Sequence, residues 1–396
     1  MSETEEMNQP LYRFLHLCWE YPPNGSGIGQ YIESISSGLR ALGHYTVIVT
    51  SRAEGFPELE ILPNGKILRI YERKDIGSKW VAEKVLEIAS EEKIDLIEAP
   101  EHFGEAGVLL REKQRPPVMI NCRYNDVLLQ ARYAQAHYPW QKLMIQLARV
   151  RQWKLHLRER YSIEHADLLA APSRIMMEGL RNQGVKIPER TAVLPKPLIP
   201  LKEWDNEESD RPTVLLLGRI DIGKGIGFLP EMIRQVKAEV PNVLFEIAGG
   251  DSYARGLGDC RDWLEKQLVA EKDHIHFTGH LNRPEVDAAY RRAWVVIVPS
   301  KWDTSPTTVL EAMQRKKAIV ASPFGGMAEY VEGTGNAIED PHTAKFASAI
   351  VSFLKDEEKR KQVGAAGRQK AFDVFLPETC ANQYIEFVNQ ILNPTV

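Results

Sequence analysis

The chain has 396 residues, too many for one ordinary core, so two domains are expected. Its composition, 43% hydrophobic and 26% charged, is that of a soluble globular protein, and a formal net charge of -4 gives no global attraction to nucleic acid or membrane. Four cysteines, Cys18, Cys122, Cys260 and Cys380, stand far apart with no C-x-x-C pair, which argues against a zinc site or a disulfide framework and fits a reducing compartment.

Residues 1–10, MSETEEMNQP, are acidic and polar, lack the apolar run of a secretory signal and are expected to form a disordered tail. No later stretch is long and apolar enough to span a bilayer, so a cytoplasmic location is expected. Over 11–200, short apolar runs alternate with longer amphipathic ones: FLHLCW, YIESISSGLRALG, YTVIVTS, KVLEIASEEK, IDLIEA, PPVMINC and ADLLAAPS. This alternation predicts βαβ units around a parallel sheet. The first strand runs into EYPPNGSGIGQ, where Gly25, Gly27 and Gly29 permit a tight turn and close backbone approach. A dinucleotide fold is the rival reading of GSGIG, but Tyr21, Pro22, Pro23 and Asn24 lengthen the loop beyond that pattern.

Residues 131–160 are the only locally basic region: Arg132, Lys142, Arg149, Arg151, Lys154, Arg158 and Arg160 stand against Glu159 alone. Trp140, Leu143, Leu147, Val150, Leu157 and Tyr161 recur at helical spacing, an apolar stripe with a cationic flank. The preferred reading is a core-packed helix with a solvated face. The alternative is docking to anionic lipid or a phosphorylated acceptor, a peripheral contact at the inner face of a membrane.

The proline-bounded, charged stretch LIPLKEWDNEESDRP has little to bury and is read as the interdomain linker, placed at 201–211. A second alternating series fills 212–375: TVLLLGRI, GFLPEMIRQVKAEVP, NVLFEIAGG, HIHFTG, EVDAAYRRA, WVVIVPS, TTVLEAMQRK and AIVASPF. From Asp340 onward the tail reads as helical, and 376–396 is expected to pack back on the first domain.

Ligands of open parallel sheets bind outside the carboxyl ends of the strands. After TVLLLG come Arg219 and Lys224-Gly225, a planar fork and a mobile point charge that suit a diphosphate, set against the plainer reading of cations solvating a loop. After AWVVIVP comes PSKWDTSPTTVLEAM, residues 299–313. Ser305 is the expected N-cap and Pro306 the first helical residue, which leaves the amides of Thr307 and Thr308 as donors for an anion. Glu311 follows one turn later between Leu310 and Ala312, a carboxylate in need of a ligand or a donor. No D-x-D motif and no metal-ligand histidine cluster occurs, so no metal or other cofactor is expected.

The order and spacing of YPPNGSGIGQYIESISSGLRALGHYTVIVTS, ADLLAAPS, LPKP, LLGRIDIGKG, EIAGG, HFTGHLNRPEV and PSKWDTSPTTVLEAMQRKKAIVASPFGGMAEYVEG resemble the retaining GT-B nucleotide-sugar glycosyltransferases. This is the large family 4-like group that includes sucrose-phosphate synthase and bacterial mannosyl- and glucosyltransferases. The resemblance runs from about Leu11 to the tail and implies an α/β fold of two Rossmann-like domains facing across a cleft. It implies a UDP- or GDP-linked donor and a saccharide, lipid-linked or small-molecule acceptor, with no nucleic acid. It also implies roles. Glu311 would hold the ribose hydroxyls, Arg219 and Lys224 the diphosphate with the Thr307 and Thr308 amides, and Asp303 the transferred sugar. Gly27 would approach the diphosphate from across the cleft, and the backbone near Leu281 would face the base. Asp303 and Glu311 keep the spacing of the family's paired carboxylates, although the first is normally Glu, and Ser26-Gly27 stands for its Gly-Gly pair. The family's first-domain histidine is absent after PPVMINC, where Cys122, Arg123 and Tyr124 stand; His102 or Arg123 is the substitute. A sugar-nucleotide epimerase and a catalytically silent nucleotide-sugar-binding protein are the alternatives.

Overall fold

The computed structural model describes residues 10–23, 27–122, 139–201, 203–254 and 257–393. The expected tail at 1–9, Gly25 and Ser26 of the glycine loop, Arg123 and Arg132 lie outside the described residues, as does the side chain of Trp140.

In the first domain, apolar runs become β1 (Arg13–Leu17), β2 (Tyr45–Ser51), β3 (Leu59–Leu62), β4 (Gly65–Tyr71), β5 (Leu96–Pro100), β6 (Val118–Asn121), β7 (Leu168–Ala171) and β8 (Thr191–Val193). They form one sheet in the order β3-β4-β2-β1-β5-β6-β7-β8. Every neighbouring pair is parallel except the β3–β4 hairpin. That hairpin was not anticipated; its Pro63-Asn64-Gly65 turn, with Asn64 at φ 52°, carries the sequence signal that could have revealed it. The amphipathic runs become α1 (Gly27–Ala41), α2 (Lys79–Glu91), α3 (Pro139–Arg151), α4 (Trp153–Glu164) and α5 (Arg174–Asn182).

The second domain orders its main sheet as β13-β10-β9-β14-β15-β16, all parallel. These strands are β9 (Thr213–Leu217), β10 (Leu244–Ala248), β13 (Ile275–Gly279), β14 (Val295–Val298), β15 (Ala318–Ala321) and β16 (Ala337–Ile338), with a small hairpin of β11 (Tyr253–Ala254) and β12 (Gly258–Asp259) between. Its helices are α6 (Leu229–Glu239), α7 (Cys260–Gln267), α8 (Arg283–Arg292), α9 (Thr307–Gln314), α10 (Met327–Val331), α11 (Ala344–Lys355) and α12 (Glu357–Val374). Apolar side chains fill both faces of each sheet, as runs of parallel strands require. The last helix, α13 (Pro377–Leu392), leaves this domain and buries Tyr384, Ile385, Phe387 and Val388 with Phe14, Ile32 and Ile35 of the first.

Two expectations are corrected. The 201–211 stretch has a good deal to bury: Trp204 is 5% exposed, with the guanidinium groups of Arg291 and Arg315 lying 4.8 and 5.0 Å from its ring. Glu208 takes a bidentate pair from buried Arg360, at 2.7 and 3.1 Å. Charge counting does not reveal this, because the partner that neutralises Glu208, Arg360, lies 152 positions away in the second domain. The core-packed reading of the basic helix also fails. Leu143, Leu147, Val150, Trp153 and Leu157 are between 46% and 68% exposed. Across α4 the buried residues are Glu159, Ser162 and Ile163, and of the stripe Tyr161 alone among the described residues packs against the first core, so the rest of the stripe lies on a different face from the one that meets the domain.

Helix α13 reaches α1 over Gly38, where a Cβ would fall 2.2 Å from the Pro377 carbonyl oxygen. Backbone cannot yield as a flexible side chain can, so Gly38→Ala is expected to destabilise the protein by about 1 to 3 kcal/mol, read as a lowered urea midpoint with an unchanged slope.

Candidate functional site

The second sheet reverses its strand order between β9 and β14, so the loops that leave their carboxyl ends diverge and open a crevice. The β9 loop carries Arg219 and Lys224; the β14 loop carries Asp303. Gly225 joins the two. Its φ is +85°, and a Cβ there would lie 2.0 Å from the Pro299 carbonyl oxygen, a separation only glycine tolerates. The Lys301 amide donates to the Gly223 carbonyl at 2.8 Å and closes the contact.

Held this way, Lys224 Nζ donates to Asp303 Oδ2 at 2.8 Å, with the two side chains 33% and 19% exposed. The other oxygen of Asp303 accepts from the Ser305 amide at 3.2 Å. The Asp303 backbone bridges to Phe324 and Gly326, so both ends of the residue are fixed. Trp302, next along, packs against the core of the first domain and braces the loop across the cleft. Arg219 is not drawn into this pair. It is 74% exposed, with Asp221 at 3.6 Å as its ion partner.

Helix α9 begins one residue later than expected: Pro306 is the N-cap and Thr307 the first helical residue. The Ser305 hydroxyl instead meets the Tyr330 hydroxyl at 3.2 Å. The Thr307 and Thr308 amides remain first-turn donors without an intrahelical acceptor. A residue the sequence reading gave no role, Lys196 of LPKP, is only 3% exposed and donates to Thr307 Oγ1 at 2.8 Å and to Gln30 Oε1 of α1 at 3.1 Å. It thereby joins both domains at the start of α9.

Glu311 has the donors it needed. Arg283 Nη1 lies 2.8 Å from one oxygen and the Tyr290 hydroxyl 3.3 Å from the other. Burial and the Glu311 charge push the Tyr290 phenol well above its usual pKa, which keeps it a donor. Arg283 was also missed, although it lies inside the quoted HLNRPEV. A cavity of about 280 Å³ is lined by Gln30, Lys196, Arg283, Thr307, Glu311 and Gln314, side chains from both domains. Leu281 is half-buried against the core just before the Asn282 cap of α8. Gly27 is the exposed first residue of α1.

On the first domain, His102 follows β5, with Nδ1 3.6 Å from the buried Glu159 carboxylate. Burial disfavours its charged form, but Glu159, Glu101 and Glu20 outweigh this and raise its pKa. Close by in sequence, the Tyr71 hydroxyl donates to buried Glu105 at 2.5 Å.

Two facing Rossmann-like α/β domains with a site at the switch point of the second define a GT-B fold. Residues 26–197 match the glycosyl transferase 4-like domain and residues 201–370 the glycosyl transferases group 1. The chain belongs to the GT-B glycosyltransferases. It is 27% identical over 241 residues to the uncharacterised glycosyltransferase YqgM of Bacillus subtilis, a match over 59% of this chain and 64%, less than two thirds, of that protein. It superposes with a TM-score of 0.75 on sucrose-phosphate synthase from Thermosynechococcus elongatus, at 19% identity over 97% of this chain and all of that one. HepE of Anabaena, solved in complex with UDP, aligns with a TM-score of 0.67 at 16% identity over 96% of this chain and all of that one.

Burial raises the Glu105 carboxyl from 4.5 to about 7. A folded-state pKa above the unfolded one means that this group's contribution is complete below pH 4.5 and is lost as pH rises to about 7. Glu105→Gln, which cannot ionise, is therefore expected to flatten the fall in stability over that window. Urea midpoints of parent and variant on either side of it provide the check.

Proposed function

We propose that the protein transfers a sugar from a nucleoside-diphosphate donor, UDP- or GDP-linked, to a saccharide, lipid-linked or small-molecule acceptor, with retention and without a metal ion. The observation that carries this reading is the Lys224–Asp303 pair at the switch point. Breaking the bond between sugar and phosphate builds negative charge on the departing diphosphate and positive charge on the sugar ring. A cation and a carboxylate held 2.8 Å apart are opposite in sign to those two charges, the cation to the diphosphate and the carboxylate to the sugar.

In the absence of donor, Asp303 serves as counterion to Lys224. A bound diphosphate takes over the ammonium and leaves Asp303 to accept from the sugar's hydroxyls. The start of α9 adds to the anion's cradle. Lys196 brings a cation to the positive end of that helix, where both attract an anion. Arg219, extended into solvent, is free to swing onto the outer phosphate. Glu311 already takes two donors in positions that ribose hydroxyls would share or replace, and Arg283 then turns to the nucleotide. On the first domain, His102 is the candidate to meet the acceptor or the sugar. Gly27 at the start of α1 would face the diphosphate, and the backbone at Leu281 would face the base. The name of HepE's ligand, UDP, supports a nucleotide donor.

The deciding experiment is a thermal-shift screen of nucleotides, followed by product detection with each nucleotide sugar that binds. Tight binding of a nucleoside diphosphate with no transfer to any acceptor or to water would overturn the enzymatic reading in favour of a silent binding protein. Lys224→Ala is expected to lower kcat/KM by about 2 to 4 kcal/mol of barrier in a protein that still folds. An unchanged specificity constant would remove Lys224 from the site. Turnover is expected to survive chelation by EDTA; complete loss restored by manganese would contradict the metal-free mechanism.

A further inference from the structure

The exposed stripe on α3 and α4 is unaccounted for by sugar transfer. Hydrogen bonding runs on through the junction, with the Gln152 amide donating to Ala148 and the His156 amide to Gln152. The two helices can therefore be read on one wheel. At 3.6 residues per turn, Leu143, Leu147, Val150, Trp153 and Leu157 fall within a stripe about 120° wide. Lys142 and Arg149 border it on one side, Arg151 and Arg158 on the other, and Lys154 sits within it. The two carboxylates of 139–165 are directed elsewhere: Glu159 is buried beneath His102, and Glu164 is paired with Arg160 at 2.8 Å. The stripe continues into a cavity of about 390 Å³ lined by Leu157, Arg158, Arg111 and Tyr161, where the Arg111 guanidinium lies over the Tyr161 ring at 4.9 Å.

We infer that this face docks on the surface of an anionic phospholipid bilayer, with the apolar stripe among the acyl chains and the basic borders at the phosphates. Charge complementarity selects that occupant. A chain with net charge -4 concentrates six of its cations over 142–160, the arrangement that an anionic surface attracts and that a neutral one does not. A second copy is disfavoured because a two-fold contact would set the cationic face against itself. The helix meets its domain through Glu159, Tyr161, Ser162 and Ile163, which leaves Leu143, Leu147, Val150, Trp153 and Leu157 exposed, so docking needs no rearrangement of the core.

Co-sedimentation of the full-length protein with vesicles tests this without any donor or turnover, so its failure is separable from failure of the proposed reaction. Binding is expected to vesicles of phosphatidylcholine with phosphatidylglycerol, not to phosphatidylcholine alone, and to weaken in high salt. The double variant Leu147→Glu, Val150→Glu removes exposed apolar contacts and adds repulsion, and is expected to weaken binding by at least about tenfold with an unchanged melting curve. Arg111→Ser is expected to weaken binding by about threefold or more through lost attraction at the cavity mouth. Equal binding of parent and double variant would overturn the inference. So would a parent that ignores anionic vesicles but sediments as a dimer that the double variant dissociates, since the stripe would then be a contact between copies.

Discussion

A reversal of strand order between β9 and β14 is the constraint on which the site depends. Parallel strands must be joined by crossovers, and crossovers that depart on opposite faces from adjacent strands leave their first loops with nothing between them. The chain fills that gap with glycine at 225, so the β9 loop can lie against the Pro299 carbonyl. Only then does Lys224 come within 2.8 Å of Asp303. A pair this accessible contributes on the order of 1 kcal/mol or less to stability. Its importance is therefore positional: two opposite charges held at the mouth of a crevice by backbone contacts that do not depend on the charges.

The second domain is not a site by itself. Lys196, from the segment between the domains, reaches Gln30 on one side and Thr307 on the other. Trp302 leans on the first core. The Glu329 carboxylate accepts from the amides of Arg174 and Ile175 at 2.9 and 3.1 Å, so a residue of α10 caps α5 of the opposite domain. Apart from Trp302 these contacts are polar, as is common at an interface between domains of one chain. The return of α13 to α1 is apolar by contrast, and it ties the end of the chain to the domain where it began.

Much of the architecture was legible in the sequence because it is written at short range. The β-branched run VVIV ahead of Pro299 and the Thr-Thr start of the following helix specify a strand and a helix within a dozen residues, and the structure has both. Alternation of such runs indicated two α/β domains. Asp303 and Glu311 stood out as carboxylates beside apolar neighbours. The β3–β4 hairpin carries its Asn64-Gly65 signal inside a pattern that otherwise alternates as βαβ units do, so one short turn competes with the periodicity around it. Leu143 and Leu147 are exposed although they recur as core residues do, because helical periodicity reports that a stripe exists and says nothing of what covers it.

The sequence by itself determined the elements, the two-domain organisation and the residue types at the strand ends, since periodicity, glycine placement and helix starts are local properties. Only the tertiary structure decided who partners whom. Lys224 and Asp303 lie 79 positions apart, Lys196 and Thr307 111, Arg283 and Glu311 28. A charge carries no mark of its partner along the chain. The partner is chosen when the strand order brings two loops to one crevice, and the same packing decides that Trp204 is buried while Trp153 faces solvent.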